Sequence, residues 1–441
     1  MAFFYSFSFT FDNKFLPVRI EELYTIFTAH PSVQTDSRKV QEGDLFFALK
    51  GPNFNGNLFA AKALELGAAY CIIDEPQGEN ERFIPVNDVL QTLQELALYH
   101  RRQFSVPFIA ITGSNGKTTT KELVSAVLSS HYITYTTQGN LNNHIGIPLT
   151  LLSVRKDAQM AVIEMGANHR KEIASYCTYT LPTHGIITNC GKAHLEGFGG
   201  EEGVRKGKGE LFDFLRNTGG MAFAYNEYDY LHEMTKGIEK VFWYGVADGD
   251  VCGCAASNES FLEVAITSGL DITPIKTQLV GDYNLPNILC AVAVGKYFDV
   301  PAAGIQAAIE QYVPSNSRSQ MIVQGSNHII LDAYNANPSS MKPAIENFAR
   351  ISSNHKILLL GGMMELGKES IAEHAGIVQL IRQYQWEQVV LVGGDYKHVP
   401  HPFIYFDNAM EAKTWLQQQH FENCYILVKG SRSMQMEKVV E

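Results

Sequence analysis

The sequence contains no C-x-x-C pair. Its seven cysteines (Cys71, Cys177, Cys190, Cys252, Cys254, Cys290 and Cys424) are odd in number and irregularly spaced. That argues against a zinc site and fits reduced thiols in a reducing cytosol. Cys252 and Cys254, the only close pair, read as two reduced thiols in an irregular segment. No apolar stretch approaches the ~18 residues of a membrane span. The N-terminus has neither a basic n-region nor a small-residue cleavage site, so no signal peptide is expected. Phe7, Phe9 and Phe11 alternate with Ser6, Ser8 and Thr10, the period of a short edge strand. No Pro, Ser or Gly run marks a long disordered linker. Basic excess is lacking too: the net charge is -11. This disfavours non-specific nucleic-acid binding, which needs clustered Lys and Arg, but not a small phosphate-bearing ligand held by backbone N–H groups. These absences describe a cytoplasmic chain with no membrane insertion and no nucleic-acid partner. A monomer is the default.

What is present is ordinary globular material, with 45% hydrophobic and 18% charged residues over 441 positions. At ~100–200 residues per domain, three domains are expected. Residues 1–104 carry short strand candidates at Leu45–Leu49, Tyr70–Ile73 and Phe83–Val86, with helical patterns over Phe59–Leu66 and Val89–Arg102. Residues 105–313 open with the apolar run Val106–Thr112, then a helix through Lys121–Leu128 and further buried strands at Met160–Met165 and Gly185–Thr188. The stretch Val251–Val280 alternates weakly and reads as a β-rich insert. Residues 314–441 place strand candidates at His328–Leu331, Lys356–Leu360, Gln388–Val392 and Cys424–Val428, separated by helical patterns. The fold class is α/β: a small first domain, a central parallel sheet, and a C-terminal doubly wound Rossmann-like sheet. Ligands of such sheets gather at the carboxyl ends of the strands, so the turns there are the places to look.

The sharpest local signal is Gly113-Ser114-Asn115-Gly116-Lys117-Thr118-Thr119 between a buried strand and a helix. Glycines let several N–H groups turn inward onto phosphate oxygens, Lys117 reaches the terminal phosphates, and the Thr118 hydroxyl is placed for Mg²⁺. Ile111 stands where the longer G-x-x-x-x-G-K-[ST] pattern has glycine, so this is the shorter G-x-x-G-K-T form. No N-K-x-D guanine-reading string is present, which favours ATP.

Three groups follow downstream. Glu164 ends the apolar run Ala161–Ile163, where a carboxylate can help hold a metal; taken alone it is equally a salt-bridge partner. His194 lies in Thr188–Phe198 after the next buried strand, so it should share that sheet edge. Lys206, Lys208 and Glu210 lie in a charged stretch that by itself reads as a solvated turn.

In this order and spacing, GSNGKTTT, EMGAN (Glu164–Asn168), TNCGKAHLEGFG (Thr188–Gly199), KGKGELF (Lys206–Phe212) and GDYNLPN (Gly281–Asn287) resemble the Mur ligases, the ATP-dependent amide-forming enzymes of peptidoglycan synthesis. The resemblance covers nearly the whole chain. Thr35–Arg38 and Gly43–Gly51 are similar to the family's uridine-nucleotide domain. Asp332–Pro338, Gly362–Gly367 and Lys429–Arg432 resemble the branch that joins D-alanyl-D-alanine to UDP-N-acetylmuramoyl-tripeptide; the D-N-P-R acceptor string of a neighbouring branch is absent.

The resemblance implies roles. Lys117 and Thr118 would hold phosphate and Mg²⁺, with one or two ions bound. Glu164, His194 and Lys208, the last as a carbamate, would complete the metal set. Asn284 and Asn287 would face adenine, and Arg318 and Asp332 would close on ATP. Ser37, Arg38 and Lys50 would meet the uridine nucleotide, and Asn140, Asn142 and Asn143 the muramoyl peptide. Tyr334, Asn335, Asn337 and Lys429 would serve the acceptor side. The chain departs from the family's frequent residues at Asn57 (often His), Tyr283 (often His) and Ser317 (often Gly). A folylpolyglutamate synthase-like ligase shares the core, but residues 35–51 argue against it. A switch ATPase would account for the phosphate loop alone.

Overall fold

In the computed structural model, residues 18–256, 261–315 and 317–441 are described. The strand expected around Phe7–Phe11 lies outside them. The chain forms two compact units. The first comprises residues up to Phe108 with Tyr135–Ile163 and Ser175–Leu181; the second comprises Ile109–Thr134, Glu164–Ala174 and Pro182–Glu441.

The first unit holds a four-stranded sheet in the order Val33–Gln34, Leu45–Phe47, Tyr70–Ile73, Phe83–Pro85, parallel throughout. Val33–Gln34 was not foreseen; two residues are too short to show a period. Helix Ala60–Glu65 follows a 3₁₀ turn over Gly56–Phe59, and Gly67 ends it at φ +111°, a conformation that only glycine adopts without strain. Helix Val89–Arg101 starts where the Asp88 side chain accepts from the Gln91 N–H, so one orphan donor of the first turn is satisfied. Arg101, buried at the far end, donates to the carbonyls of Thr180, Phe104 and Leu181 and stacks 3.7 Å over the Phe108 ring.

In the second unit, the larger sheet orders its strands Ile275–Lys276, Glu263–Ser268, Val251–Ala255, Lys240–Gly245, Met221–Tyr225, His184–Ile187, Phe108–Thr112. The last five are parallel, and the expected β-rich insert supplies the antiparallel extension. Every residue of Phe108–Thr112 and Met221–Tyr225 is buried, the pattern of strands covered on both faces. The C-terminal sheet runs Gln320–Gln324, Asn327–Asp332, Tyr425–Lys429, Lys356–Gly361, Gln388–Val392, Ile404–Phe406. Only its first strand is antiparallel. The four strands read from sequence form its centre, and two edge strands are added.

The charged stretch around Lys208 is not a turn. It belongs to helix Glu201–Thr218, whose buried stripe is Val204, Gly207, Lys208, Leu211, Phe212 and Leu215. Lys208 thus sits on the core face of an amphipathic helix. Among the described residues, no helix is long and apolar enough to cross a membrane, and all seven cysteines are free.

Candidate functional site

The phosphate loop forms as the sequence requires. The chain leaves strand Phe108–Thr112 through Gly113 at φ +148° and enters helix Lys117–Ser129 through Gly116 at φ +78°. Both positions need glycine for space as well. A Cβ on Gly113 would stand 1.9 Å from Thr188 Oγ1, and one on Gly116 2.6 Å from Asn287 Oδ1. Lys117 Nζ folds back to donate to the carbonyls of Gly113 (2.7 Å) and Ser114 (3.2 Å). Loss of water lowers its pKa to about 8; Glu164 opposes the shift and the Arg318 charge adds to it. Thr118 is buried just behind. Thr120 Oγ1 donates to Asn287 Oδ1 at 3.1 Å, and Asn287 Nδ2 to Asn284 Oδ1 at 2.9 Å. These two asparagines, expected to face adenine, have amides that brace the loop's helix.

Three strand ends surround this loop. Ile187 pairs with Thr112, so the segment after His184–Ile187 passes beside the phosphate loop. The Met165 N–H donates to the Ile111 carbonyl, and Thr112 Oγ1 donates to the Met165 carbonyl. Glu164, 1% exposed, is thereby fixed one residue away. Lys208, also 1% exposed, donates from Nζ to the Ala167 carbonyl at 3.0 Å and lies 5.0 Å from the Phe198 ring centroid. Burial lowers its pKa to about 7, with Lys117 pushing the same way and Cys190, Glu172 and Glu210 opposing. Lys117, Glu164, Lys208 and Arg318 therefore share one electrostatic neighbourhood. His194, at φ +53°, forms an ion pair through Nδ1 with Glu365. That pairing holds Glu365 below the usual carboxylate range. Among the described residues, no three His, Cys, Asp or Glu side chains converge into a ready cation cluster.

The C-terminal turns arrive at the same place. Lys429, 2% exposed, pairs with Asp332 at 2.6 Å and donates to the Asn335 carbonyl at 3.3 Å. Asp332 also accepts from the Ser319 N–H. The Arg318 guanidinium stacks 3.5 Å over the Tyr334 ring, and its buried Nε has no hydrogen-bond partner among the described residues. Ser317, where the family often has glycine, adopts φ +55°. Tyr283, where histidine is frequent, shares a 3.1 Å hydrogen bond with Ser319. Asn335 Oδ1 accepts from the Ala336 N–H. Asn337 caps helix Pro338–Arg350 and exchanges amide hydrogen bonds with Asn115. The Lys192 N–H donates to Ser339 Oγ (2.7 Å) and its Nζ to Glu373 (2.6 Å).

The remaining expected site residues belong to the first unit. Arg38 forms a two-point pair with Asp36, whose carboxyl it holds down to about 2, and Ser37 begins the same 3₁₀ turn. Lys50 lies between Asp74 (3.2 Å) and Glu75 (3.4 Å). Asn57, fully buried, bridges Asn55 and Asp74. Asn140 and Asn143 are exposed and Asn142 is half-buried; Asn143 Oδ1 accepts from the N–H groups of Ile145 and Gly146 at the start of helix Gly146–Ser153.

Several residues with a place in the site carried no sequence signal. Glu365, Asn189 and Ser339 stand within quoted strings or beside them, but their partners are 77–222 positions of chain geometry away from being read locally. Glu210 is another: its carboxylate accepts from the N–H groups of Lys171 and Ala174 and shapes the loop that carries Ala167.

The donor set suits a nucleotide and a cation. A loop of inward N–H groups, a lysine, a buried hydroxyl, a buried carboxylate and an unsatisfied arginine nitrogen converge at strand carboxyl ends. Family models agree with this geometry. The Mur ligase family catalytic domain matches residues 31–101, the Mur ligase middle domain 111–295, and the Mur ligase glutamate ligase domain 317–432. A UDP-N-acetylmuramoyl-tripeptide–D-alanyl-D-alanine ligase of Bacillus subtilis (strain 168) is 32% identical over 93% of this chain and 92% of its own length. The Escherichia coli (strain K12) protein of that name is 34% identical over 93% and 92%. Among solved structures, MurF from Acinetobacter baumannii superposes with a TM-score of 0.85 at 29% identity, covering 94% of this chain and 96% of that one. MurF ligase from Thermotoga maritima in complex with ADP gives 0.84 at 25%, covering 93% and 96%. With its phosphate loop and relatives of at least 30% identity along nearly its whole length, the chain belongs to the Mur ligase family and is an ATP-dependent ligase.

Proposed function

We propose that this enzyme joins D-alanyl-D-alanine to UDP-N-acetylmuramoyl-tripeptide, using ATP, in the synthesis of peptidoglycan precursor. The observation that carries the reading is the phosphate loop with Glu164 and Lys208 buried beside it, in a chain whose relatives of that name match it end to end. Residues 1–104 hold the uridine nucleotide, with Ser37, Arg38 and Lys50 as contacts. Residues 105–313 hold ATP, and residues 314–441 hold the dipeptide and cover the nucleotide. The enzyme works as a monomer in the cytoplasm, where ATP is made available.

The carboxylate that ends the tripeptide attacks the γ-phosphorus of ATP; the new O–P bond forms as the bond to ADP breaks. The dipeptide amine then attacks the acyl carbon, loses a proton, and phosphate leaves with the electron pair of the C–O bond. The physical difficulty is an anion approaching a polyanion. Lys117 and Arg318 supply fixed positive charge at the transferring group. Mg²⁺, held by Thr118, Glu164, His194 and a carbamylated Lys208, would neutralise phosphate charge when bound. The neutral amine that a pKa of about 7 gives Lys208 is the form that reacts with carbon dioxide, and the product converts a buried cation into an anionic ligand. Cover from Arg318, Asp332, Tyr334, Asn335 and Lys429 excludes water, which would otherwise hydrolyse the acyl phosphate. Asn140, Asn142 and Asn143 line the muramoyl-peptide side.

The test is phosphate release from ATP with UDP-N-acetylmuramoyl-tripeptide, with and without D-alanyl-D-alanine. Release that needs both, with the pentapeptide product in the mass spectrum, is the expected result. Release indifferent to both would return the protein to a switch ATPase or to a ligase of other substrates.

A further inference from the structure

Asn115, in the middle of the phosphate loop, is gripped from two sides. On one side is Asn189, just past strand His184–Ile187. Asn189 Oδ1 accepts from the Asn115 N–H at 3.0 Å, and Asn189 Nδ2 donates to the Asn115 carbonyl at 3.1 Å. One side-chain amide thus satisfies both backbone groups of a single loop residue. The Asn189 carbonyl also accepts from the Ser114 N–H at 2.8 Å. On the other side is Asn337, at the head of helix Pro338–Arg350. Asn337 Nδ2 donates to Asn115 Oδ1 at 2.7 Å, and Asn115 Nδ2 donates back to Asn337 Oδ1 at 3.4 Å.

The orientation of the Asn337 amide is settled by its second task. Its Oδ1 accepts from the Ser340 N–H at 3.0 Å while Ser340 Oγ accepts from the Asn337 N–H, a capping box. With the oxygen turned to the helix, the NH₂ group can face only Asn115. Asn337 is 5% exposed, so water competes weakly for these bonds. A close packing contact runs alongside: a Cβ on Gly191 would lie 2.6 Å from Ser339 Oγ.

We propose that Asn189 and Asn337 are positioning residues for the phosphate loop, holding Asn115 between them so that the loop has its nucleotide-binding shape only when the C-terminal sheet is docked on it. Neither touches the reacting atoms. Asn189 fixes the main chain of Asn115, immediately before the left-handed Gly116 and Lys117. Asn337 fixes its side chain, and does so from the segment that carries Arg318, Asp332 and Lys429. Nucleotide affinity and docking of the C-terminal sheet are then reciprocally coupled through one residue, since a contact that favours the docked loop favours both.

This inference rests on Gly113–Thr119 being the nucleotide site, and the experiment separates the two. ADP binding to the full chain is measured by calorimetry for wild type, Lys117→Ala, Asn189→Ala, Asn115→Ala, Asn337→Ser and the Asn115→Ala/Asn337→Ser double variant. Serine at 337 keeps the cap acceptor but is too short to reach Asn115, and an unchanged thermal unfolding midpoint verifies the fold. The expected results are a loss of about fivefold to tenfold for Asn337→Ser and Asn115→Ala, the size of one shielded polar contact, with the double variant no weaker than the single ones. Asn189→Ala loses at least as much. Additive losses in the double variant, or wild-type affinity in both Asn189→Ala and Asn337→Ser, would overturn the inference while leaving the site in place. If Lys117→Ala bound ADP as wild type does, the site itself would be misassigned and the inference would fall with it.

Discussion

Lys208 Nζ donates a hydrogen bond to the carbonyl of Ala167 at 3.0 Å, from a position 1% exposed. The amine is therefore aimed at the loop that follows Glu164, and a carbamate formed there would point toward the phosphate loop's lysine, whose charge already acts on it. Lys208→Ala is expected to lower the ligation rate by about 10²-fold, the scale seen when one electrostatic stabiliser of a transferring group is removed. A short carboxylic acid added to the variant should restore part of the activity by supplying the missing anion. Full activity in the variant, measured by phosphate release, would rule the role out.

The same burial makes stability depend on pH. The Lys208 pKa falls from 10.5 to about 7 on folding. Below about 7 the amine is charged in both states and the folded protein carries the whole burial penalty. As pH rises above 7 the folded form becomes neutral first, so the unfolded chain binds more protons and stability climbs until about 10.5. In metal-free buffer the unfolding midpoint should rise between pH 7 and 9. Lys117, lowered to about 8, adds to the slope at the upper end. Lys208→Met should flatten the rise, most clearly between pH 7 and 8. An equal slope in wild type and variant would contradict this account.

The central strands were legible because burial on both faces writes them as apolar runs; Ile109–Thr112 and Lys356–Leu360 are of this kind. Edge strands such as Gln320–Gln324 and Thr134–Thr136 are only half-buried, and their mixed composition hides them. Gly113 and Gly116 announced the loop because no other residue fits their dihedrals and space. Lys208 could be singled out by resemblance but not by its own pattern: a lysine on a helix reads as solvated, and only the packed helix shows it facing inward. The pairs Asn115–Asn337 and His194–Glu365 were invisible for another reason. Each joins distant segments by polar atoms, and polar contacts leave no periodic trace in sequence.

Gly113→Ala tests the loop's shape directly. The added methyl would meet Thr188 Oγ1 at 1.9 Å, and φ +148° is unfavourable for any side chain. The strand end must shift, and a displacement near 1 Å at reacting groups costs on the order of 10²-fold in rate. Ligation should fall by at least that much, with ADP affinity falling in parallel by calorimetry. Near-normal values of both would mean that the loop tolerates a different path.

Lys429 and Asp332 make an unequal pair, and the inequality predicts an order of effects. The lysine is 2% exposed and the aspartate side chain 16%. Breaking a buried ion pair from one side typically costs about 3–5 kcal/mol, chiefly because the other charge is left without its partner. Asp332→Asn leaves the deeper ammonium facing only the Asn335 carbonyl at 3.3 Å and a neutral amide. Lys429→Met leaves a carboxylate that still accepts from the Ser319 N–H and has some access to water. Asp332→Asn should therefore destabilise the C-terminal sheet more than Lys429→Met. Urea unfolding followed by circular dichroism reads the order, and the reverse order would show that Lys429 sheds its proton at little cost once its partner is gone.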